Sequence, residues 1–248
     1  MKGKAAFLIF IFLSLSFFLF SQTPEELIAE GDELYSEMQN METAQEALTK
    51  YRTALNEIED KYGAYWKMAR IHYYIGTHTD SKKEKKVIFS QGIYYAKKAI
   101  ELEPEKPDAY YWLGVNYGVY GEARGVMKSL FLVDDIKEAM NKVIELDRMY
   151  EDGGPDRVLG RVYFKVPGIA GGSKDKSLEH LLKSKEIGPE DALTRVYLAD
   201  TYLALKEVEK ARAELDYVLN LEDDPRWVTG IEDTKQEARE LLKSKKFK

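Results

Sequence analysis

The sequence predicts an all-α protein built as a helical-repeat solenoid, and two observations support this fold class. A motif with large residues, a small residue and a tyrosine recurs along the chain, most clearly as YYWLGVNY at residues 110–117, with weaker copies that begin at Trp66, Asp156 and Arg195. Each copy precedes a block whose residues are spaced four and three positions apart, which places them on one face of a helix. Because a single helix pair cannot bury that face alone, consecutive pairs must stack around a concave surface.

The motif is typical of the first helix of a tetratricopeptide unit, and the block that follows is typical of the second helix. Five blocks occur, and their members are Ala47/Tyr51/Ala54, Gly92/Ala96/Ala99, Ile136/Met140/Val143, Ser177/Leu181/Ser184 and Ala211/Leu215/Val218. The predicted units are about 24–60, 64–103, 107–148, 154–188 and 190–222, followed by a capping helix at 226–246. We therefore expect one helical-repeat domain over residues 23–248, with about five helix pairs and a C-terminal capping helix.

Capping signals predict where several helices begin. The segment TPEE at residues 23–26 combines a threonine N-cap, a proline at the first helical position and a glutamate that reaches back to the cap. The segment SKKE at residues 81–84 is a second capping box, which starts a long helix that ends at Leu102. Proline also stands where three later helices should start, at Pro107, Pro155 and Pro225.

Two insertions interrupt the regular spacing of the repeats. An ordinary unit has twelve positions between the small residue of its first helix and the start of its second block, as from Ala199 to Ala211, but the third unit has 22 and the fourth has 17. The first surplus, residues 118–133, is apolar with helical spacing and predicts an extended or additional helix. The second, residues 164–172, predicts a Gly/Pro loop before an N-cap at Ser173. Insertions in solenoids gather on one face and often carry function.

The first 22 residues have the order of a secretory signal. Lys2 and Lys4 precede the stretch 5–20, which is apolar except for Ser14 and Ser16, and a polar segment follows. Sixteen residues are short for a membrane span, which needs about 20. We predict a cleaved signal peptide over residues 1–22, with an uncleaved membrane anchor as the alternative. In either case the repeats are expected to be extracytoplasmic, in the periplasm.

Composition and motif searches narrow the classes of function. The formal net charge of −6 argues against a nucleic-acid partner, which favours a basic surface. The sequence has no cysteine, which excludes disulfides and thiol chemistry, and its three histidines are dispersed. The stretch GIAGGSKDKS at residues 168–177 does not match a phosphate-binding loop, and no carboxylates form an acid–base pair. We therefore predict no enzyme activity, no metal and no cofactor.

Two segments resemble one family of helical-repeat proteins. The segment GGPDRVLGRVYFKVPGIAGGSKDKSLEHL, residues 153–181, and the segment YGEARGVMKSL, residues 120–130, are similar to recurrent stretches of the T-component family associated with TRAP transporters. With the repeats, the resemblance covers about residues 24–222. It implies an all-helical extracytoplasmic protein that partners the solute-binding protein of the transporter and can form a homo-oligomer whose subunits each hold a groove for a small ligand. The sequence departs from that family in lacking a lipobox cysteine.

Basic side chains follow one another along the predicted first helix of the fourth unit. Arg157, Arg161 and Lys165 are spaced four apart and fall at or near positions that line the concave surface. Guanidinium groups there would bind the carboxylate of a small organic acid or an acidic segment of a partner protein. Arg124, in the first insertion, joins this predicted binding set. Neighbouring units supply an apolar and aromatic wall at comparable positions, formed by Tyr74, Tyr111, Val115 and Val196.

The alternative interpretation of these cations is structural: they form a solvated face or pair internally, for instance with Asp200 of the next unit. The leading hypothesis is an extracytoplasmic binding or scaffold protein that acts as an accessory of a TRAP-type transporter. This accessory protein would interact with the solute-binding protein of the transporter and hold a small organic acid. The competing hypothesis is a general envelope scaffold that assembles other envelope proteins and binds no small molecule.

Overall fold

The structure is a computed structural model that describes residues 22–38, 40–222, 231–244 and 247. In those residues it contains α-helices, two short 3₁₀ helices and no strand, so the predicted all-α fold class is confirmed. The predicted leader, apart from Gln22, and Pro225 lie outside the described residues. The helices are α1 (Pro24–Ser36), α2 (Met41–Ala54), α3 (Lys61–Thr77), α4 (Lys82–Leu102), α5 (Pro107–Arg124), α6 (Val133–Asp147), α7 (Tyr150–Lys165), α8 (Lys174–Ile187), α9 (Ala192–Ala204), α10 (Val208–Asn220) and α11 (Glu232–Leu242).

Consecutive helices pack as five pairs, α1 with α2 through α9 with α10, and α11 packs against α10 and α9. Every residue of the five predicted second-helix blocks is buried, as the four-and-three spacing requires. Each pair also contacts the next, for example through α2 and α3 or α8 and α9. The prediction of five helix pairs and a C-terminal capping helix is therefore confirmed.

Small residues on the first helices allow the two helices of a pair to approach closely. A Cβ atom placed on Gly160 would lie 2.5 Å from Cγ of Leu181 and 3.2 Å from the carbonyl oxygen of Ser177 in α8. A Cβ atom on Gly31 would lie 2.5 Å from the ring of Tyr51 in α2. Real Cβ atoms essentially never approach another atom to 2.5 Å, so the small residue of the repeat motif is a packing requirement.

Side-chain caps form at three of the predicted helix starts, and of these three only α1 has both bonds of a capping box. Thr23 and Glu26 form the reciprocal capping box of α1. The hydroxyl of Ser81 accepts a hydrogen bond from the backbone N–H of Glu84 at 3.4 Å, and α4 ends at Leu102. Ser173 caps α8 in the same way, at 3.2 Å from the N–H of Lys176.

Helix α7 contains a sharp turn that the sequence did not indicate. The helix begins at Tyr150, but Glu151, Asp152 and Gly153 have φ angles of 50°, 54° and 78°, and the regular helix resumes just before Pro155. Left-handed conformations in residues other than glycine cost roughly 1–3 kcal/mol each. This turn aims the two acidic residues at the concave side of the molecule.

The two insertions form additional helical segments next to each other. Helix α5 continues to Arg124, and a 3₁₀ helix, Val126–Leu132, then leads into α6, so the predicted extended or additional helix is present. A 3₁₀ turn, Gly168–Ala170, occupies the predicted loop before α8. No helix in the described part of the chain is long and apolar enough to cross a membrane.

Candidate functional site

The first helices of the five pairs line a concave cavity of about 590 Å³. Its wall comes from α1, α3, α5, α7 and α9, as expected for the inner surface of stacked helix pairs. Ile231, at the N-terminus of α11, and Thr234 also line it, so the capping helix narrows the opening of the groove. The cavity therefore combines the repeats with the C-terminal helix in one site.

Five of the six predicted site residues line this cavity, and they are Tyr74, Tyr111, Arg157, Arg161 and Lys165. Arg124 is not among the lining residues: its guanidinium is exposed and lies 5.3 Å from the centre of the Phe131 ring. Val115 lines the wall, but the predicted position of Val196 is wrong. Val196 is fully buried in the core around α9 and α10, because the register of α9 turns the next residue, Tyr197, toward the cavity.

Arg157 is held on both sides by groups of the cavity wall. Its Nη1 donates to Oδ2 of Asp191 at 2.9 Å, and its Nη2 donates to the hydroxyl of Tyr111 at 2.9 Å. Burial opposes the charged form, but the combined effect of Asp191, Tyr111 and Glu151 outweighs it and raises the pKa of Arg157 well above its ordinary value. The side chain is therefore a fixed cation that joins α5, α7 and the start of α9.

Arg161 is paired less completely. Its Nη1 donates to Oδ2 of Asp200 at 2.7 Å, and its guanidinium lies 4.2 Å from the centre of the Tyr197 ring. Its buried Nε has no hydrogen-bond acceptor among the described residues. The internal pair with Asp200 that the structural interpretation foresaw is thus present, and the same side chain also lines the cavity.

Arg70 is a cavity residue that sequence reasoning missed. Its guanidinium stacks 3.4 Å from the centre of the Tyr35 ring, and its Nη2 lies 3.7 Å from the carboxylate of Asp32. The buried Nε of Arg70 also has no acceptor in the described part of the chain. Arg70 precedes the predicted Tyr74 by four residues, and this spacing on one helical face could have identified it.

Carboxylates balance these cations within the cavity wall. The basic lining residues are Arg70, Arg157, Arg161 and Lys165, and the acidic ones are Glu122, Glu151, Asp152, Glu190 and Asp191. Burial raises the pKa of Glu151, and the nearby arginines oppose that shift. The site is therefore an aromatic cavity with partly paired charges, rather than a purely basic trap for anions.

The histidines take structural roles in the described residues. The distance between Nδ1 of His180 and Oδ1 of the fully buried Asp156 is 2.8 Å. The other carboxylate oxygen of Asp156 accepts a hydrogen bond from Nε of Arg148, also at 2.8 Å. His72 is buried, and its Nδ1 lies 2.6 Å from the carbonyl oxygen of Met68. Within the described ranges, no group of three or more His, Cys, Asp or Glu side chains is placed to hold a metal ion.

The stacked helix pairs and their concave cavity define a TPR-like helical-repeat protein. The fold is similar to the crystal structure of a TPR protein from Thermus thermophilus, with a TM-score of 0.66 over 89% of this chain and 99% of that chain, at 18% sequence identity. The family described as regulator of microtubule dynamics protein 1-3 matches residues 27–166, more than half of the sequence. The chain belongs to this family.

Individual relatives have low identity to this chain. Regulator of microtubule dynamics protein 1 from Bos taurus is 25% identical over 221 residues, which cover 81% of this chain and 67% of that protein. The protein of the same name from Mus musculus is 26% identical over 204 residues, 75% of this chain and 64% of that protein. Regulator of microtubule dynamics protein 3 from Rattus norvegicus is 25% identical, and the chain spans 44% of its length.

The comparisons do not support the resemblance to the TRAP T-component family, nor a transport or periplasmic role. The two segments that suggested that family include positions that helix packing itself requires. Gly160 and Leu181, for example, face each other between α7 and α8. Residues of this kind are expected in any solenoid of tetratricopeptide type, so they separate its families poorly.

Proposed function

We propose that this protein is a non-catalytic binding protein that holds a small organic acid in its concave cavity and binds a partner protein with its solenoid surface. The observation that carries this proposal is the cavity itself. Its volume of about 590 Å³ falls in the range of roughly 300–1,000 Å³ that is usual for small-molecule sites. Aromatic walls with a few convergent polar groups are also typical of such sites.

The wall has distinct parts for the two ends of such a ligand. Tyr73, Tyr111 and Tyr197 supply aromatic surface that can cover a carbon skeleton. Arg161 and Arg70 each keep a buried Nε that has no acceptor among the described residues, and a carboxylate could satisfy these donors after a small shift of the side chain. Arg157 is already engaged by Asp191 and Tyr111, so its role is to hold the wall in place.

The acidic side chains of the cavity limit which anions suit it. Glu151 and Asp152 would repel a second carboxylate nearby. We therefore expect a monocarboxylate with a sizeable apolar part rather than a compact dicarboxylate.

A binding role without catalysis agrees with the titration behaviour of the tyrosines. Burial raises the pKa of Tyr35 to about 12 and also raises the pKa of Tyr111 and Tyr197. Their hydroxyls therefore stay protonated at neutral pH and act as hydrogen-bonding groups rather than as general bases. The repeat fold and the family likewise favour a scaffold over an enzyme.

The partner and the location are separate parts of the proposal. An extracytoplasmic location rests on the order of residues 1–22 alone, and the solute-binding protein as partner rests on the resemblance described above. The homo-oligomer likewise stays a prediction.

The names of the relatives favour a second candidate, a role in regulating microtubules. Co-sedimentation with microtubules and the location of a reporter fused to the full chain would separate these two settings.

Native mass spectrometry of the gently purified full chain tests the cavity ligand. We expect one bound organic acid per chain, released on denaturation and identified in the extract. The variant Arg70→Ala/Arg161→Ala should lose it, whereas Arg124→Ala, which lies outside the cavity wall, should retain it. A folded wild-type protein that carries no acid and binds none from a panel of monocarboxylates would contradict the proposal.

A further inference from the structure

The most exposed large apolar side chains are concentrated in the two insertions. Among the described residues, four large hydrophobic side chains are more than 60% exposed: Met127 at 63%, Phe131 at 61%, Met149 at 68% and Ile169 at 97%. Three of these four lie in the two 3₁₀ helices that interrupt the repeats. Single exposed apolar residues are common on protein surfaces, but their concentration in added segments is not required by helix packing.

Contacts place both insertions at one rim of the cavity. Lys165, at the end of α7, lies 3.8 Å from Glu122, near the end of α5. A Cβ atom on Gly171, beside the second 3₁₀ helix, would lie 3.8 Å from Nζ of Lys137 in α6, just after the first insertion. Val126 and Val166, one from each segment, line the cavity. We call the two segments, residues 124–132 and 165–172, the insertion rim.

The tip of the insertion rim is held in shape by its own backbone. The N–H of Ala170 donates to the carbonyl of Pro167 at 2.9 Å, and the N–H of Gly171 donates to that of Gly168 at 3.0 Å. Ile169 stands on this turn almost fully exposed. A single protruding apolar side chain offers little area to a flat protein partner, whereas lipid headgroups can close around it.

Charge is also segregated at this rim. Residues 123–133 and 162–174 contain no acidic residue, although the whole chain has a net charge of −6. The basic residues of these stretches are Arg124, Lys128, Lys165 and Lys174. The acids that flank these stretches include Glu122, which lies 3.8 Å from Lys165. They also include Asp134, Asp135 and Asp175, which stand in the first turns of α6 and α8, where helix N-termini favour negative charge.

We propose that the insertion rim is a membrane-docking surface that rests on anionic phospholipid. Met127, Phe131 and Ile169 insert among the headgroups, and the basic residues of the rim attract the negative surface. Exposed aromatic and aliphatic side chains next to lysine and arginine are the composition of peripheral membrane surfaces. This inference is independent of the ligand proposed for the cavity, because it rests on the outer side chains of the rim.

A site-specific fluorescent label tests the proposal in the full chain. Because the sequence has no cysteine, Ile169→Cys and Phe131→Cys each create a unique attachment point for an environment-sensitive dye. With phosphatidylcholine vesicles that contain phosphatidylserine, we expect a blue shift and a severalfold rise in emission at both positions. Pure phosphatidylcholine vesicles and high salt should abolish the change, because salt screens exposed charges. The matched control is Val87→Cys on α4, a position that is 58% exposed and outside the insertions, and it should show no change.

Membrane binding by the predicted signal segment, residues 1–22, would give a different result, because it would leave a dye at position 169 in water. An unchanged signal at position 169 on vesicle-bound protein would overturn the proposal. Equal signals at positions 169 and 87 would also overturn it, as would a change that requires an added protein rather than lipid. Adding Arg124→Glu/Lys128→Glu to the Ile169→Cys chain should raise the lipid concentration needed for half the emission change at least tenfold while circular dichroism stays unchanged, and an unshifted titration at position 169 would overturn the electrostatic part.

Discussion

Oδ2 of Asp233 in α11 lies 3.4 Å from Nε2 of His78 at the C-terminal end of α3. The two residues belong to the capping helix and to the second of five helix pairs, so the last helix reaches back across the groove. Ile231 and Thr234 of the same segment line the cavity. Burial raises the pKa of Glu237 in α11, although the positive charge of Arg161 opposes this shift. Helix α11 therefore covers the end of the solenoid and also narrows the mouth of the cavity.

The contact between Asp233 and His78 should control the opening of α11 without affecting global stability. The Asp233 side chain is 81% exposed, and even a fully charged exposed pair contributes only about 0–1 kcal/mol. We expect Asp233→Asn to leave the melting temperature nearly unchanged but to speed amide hydrogen exchange in α11 and at the end of α3. Glu240→Gln on the same helix is the control, and equal exchange in both variants would show that the contact does not hold α11.

The close approach at Gly160 should make this position less tolerant than Gly114. A side chain at Gly160 meets Leu181 and the backbone of Ser177, whereas one at Gly114 first meets the flexible end of Met140. We expect Gly160→Leu to lower the free energy of unfolding by about 1–3 kcal/mol, and Gly114→Leu by less. Gly63→Ala, where no atom lies within 4 Å of the added Cβ, should be neutral or stabilising. Denaturant unfolding gives all three values, and an equal cost at Gly160 and Gly63 would contradict the packing argument.

Burial of His72 predicts a specific acid sensitivity. Burial lowers the pKa of His72 from 6.5 to about 4, although the carbonyl of Met68 opposes the shift. Below pH 6.5 the unfolded chain therefore binds a proton that the folded chain does not. Stability should fall as the pH drops from about 6.5 to 4, by roughly 3 kcal/mol at most, and this contribution should level off below pH 4.

Two measurements check this acid sensitivity. NMR titration should find the His72 ring neutral at pH 6, and the variant His72→Leu should show a flatter profile of stability between pH 6.5 and 4. An ordinary pKa near 6.5 for His72 in the folded protein would contradict the prediction.

The helix pairs could be predicted from the sequence because the spacing of residues within each block indicates which face of the helix is buried. The sequence also placed Tyr111 and Arg157 on the concave wall, since both follow from the repeat frame. It could not predict that α11 reaches His78, because that contact depends on the curvature accumulated over the stacked pairs. The turn at Glu151 and Asp152 was equally hidden, since left-handed backbone is disfavoured for these residues and only tertiary packing enforces it.

The central claim is that the guanidinium groups of the cavity bind a carboxylate, and titration calorimetry tests it most directly. The organic acid recovered by mass spectrometry is titrated into the wild type, Arg70→Ala/Arg161→Ala and the control Arg124→Ala, with circular dichroism on the same samples. We expect at least tenfold weaker binding to the double variant and no change in the control, because loss of a desolvated charged partner costs about 2–5 kcal/mol. Wild-type affinity in a folded double variant would contradict the account and leave Arg70 and Arg161 as internal partners of Asp32 and Asp200.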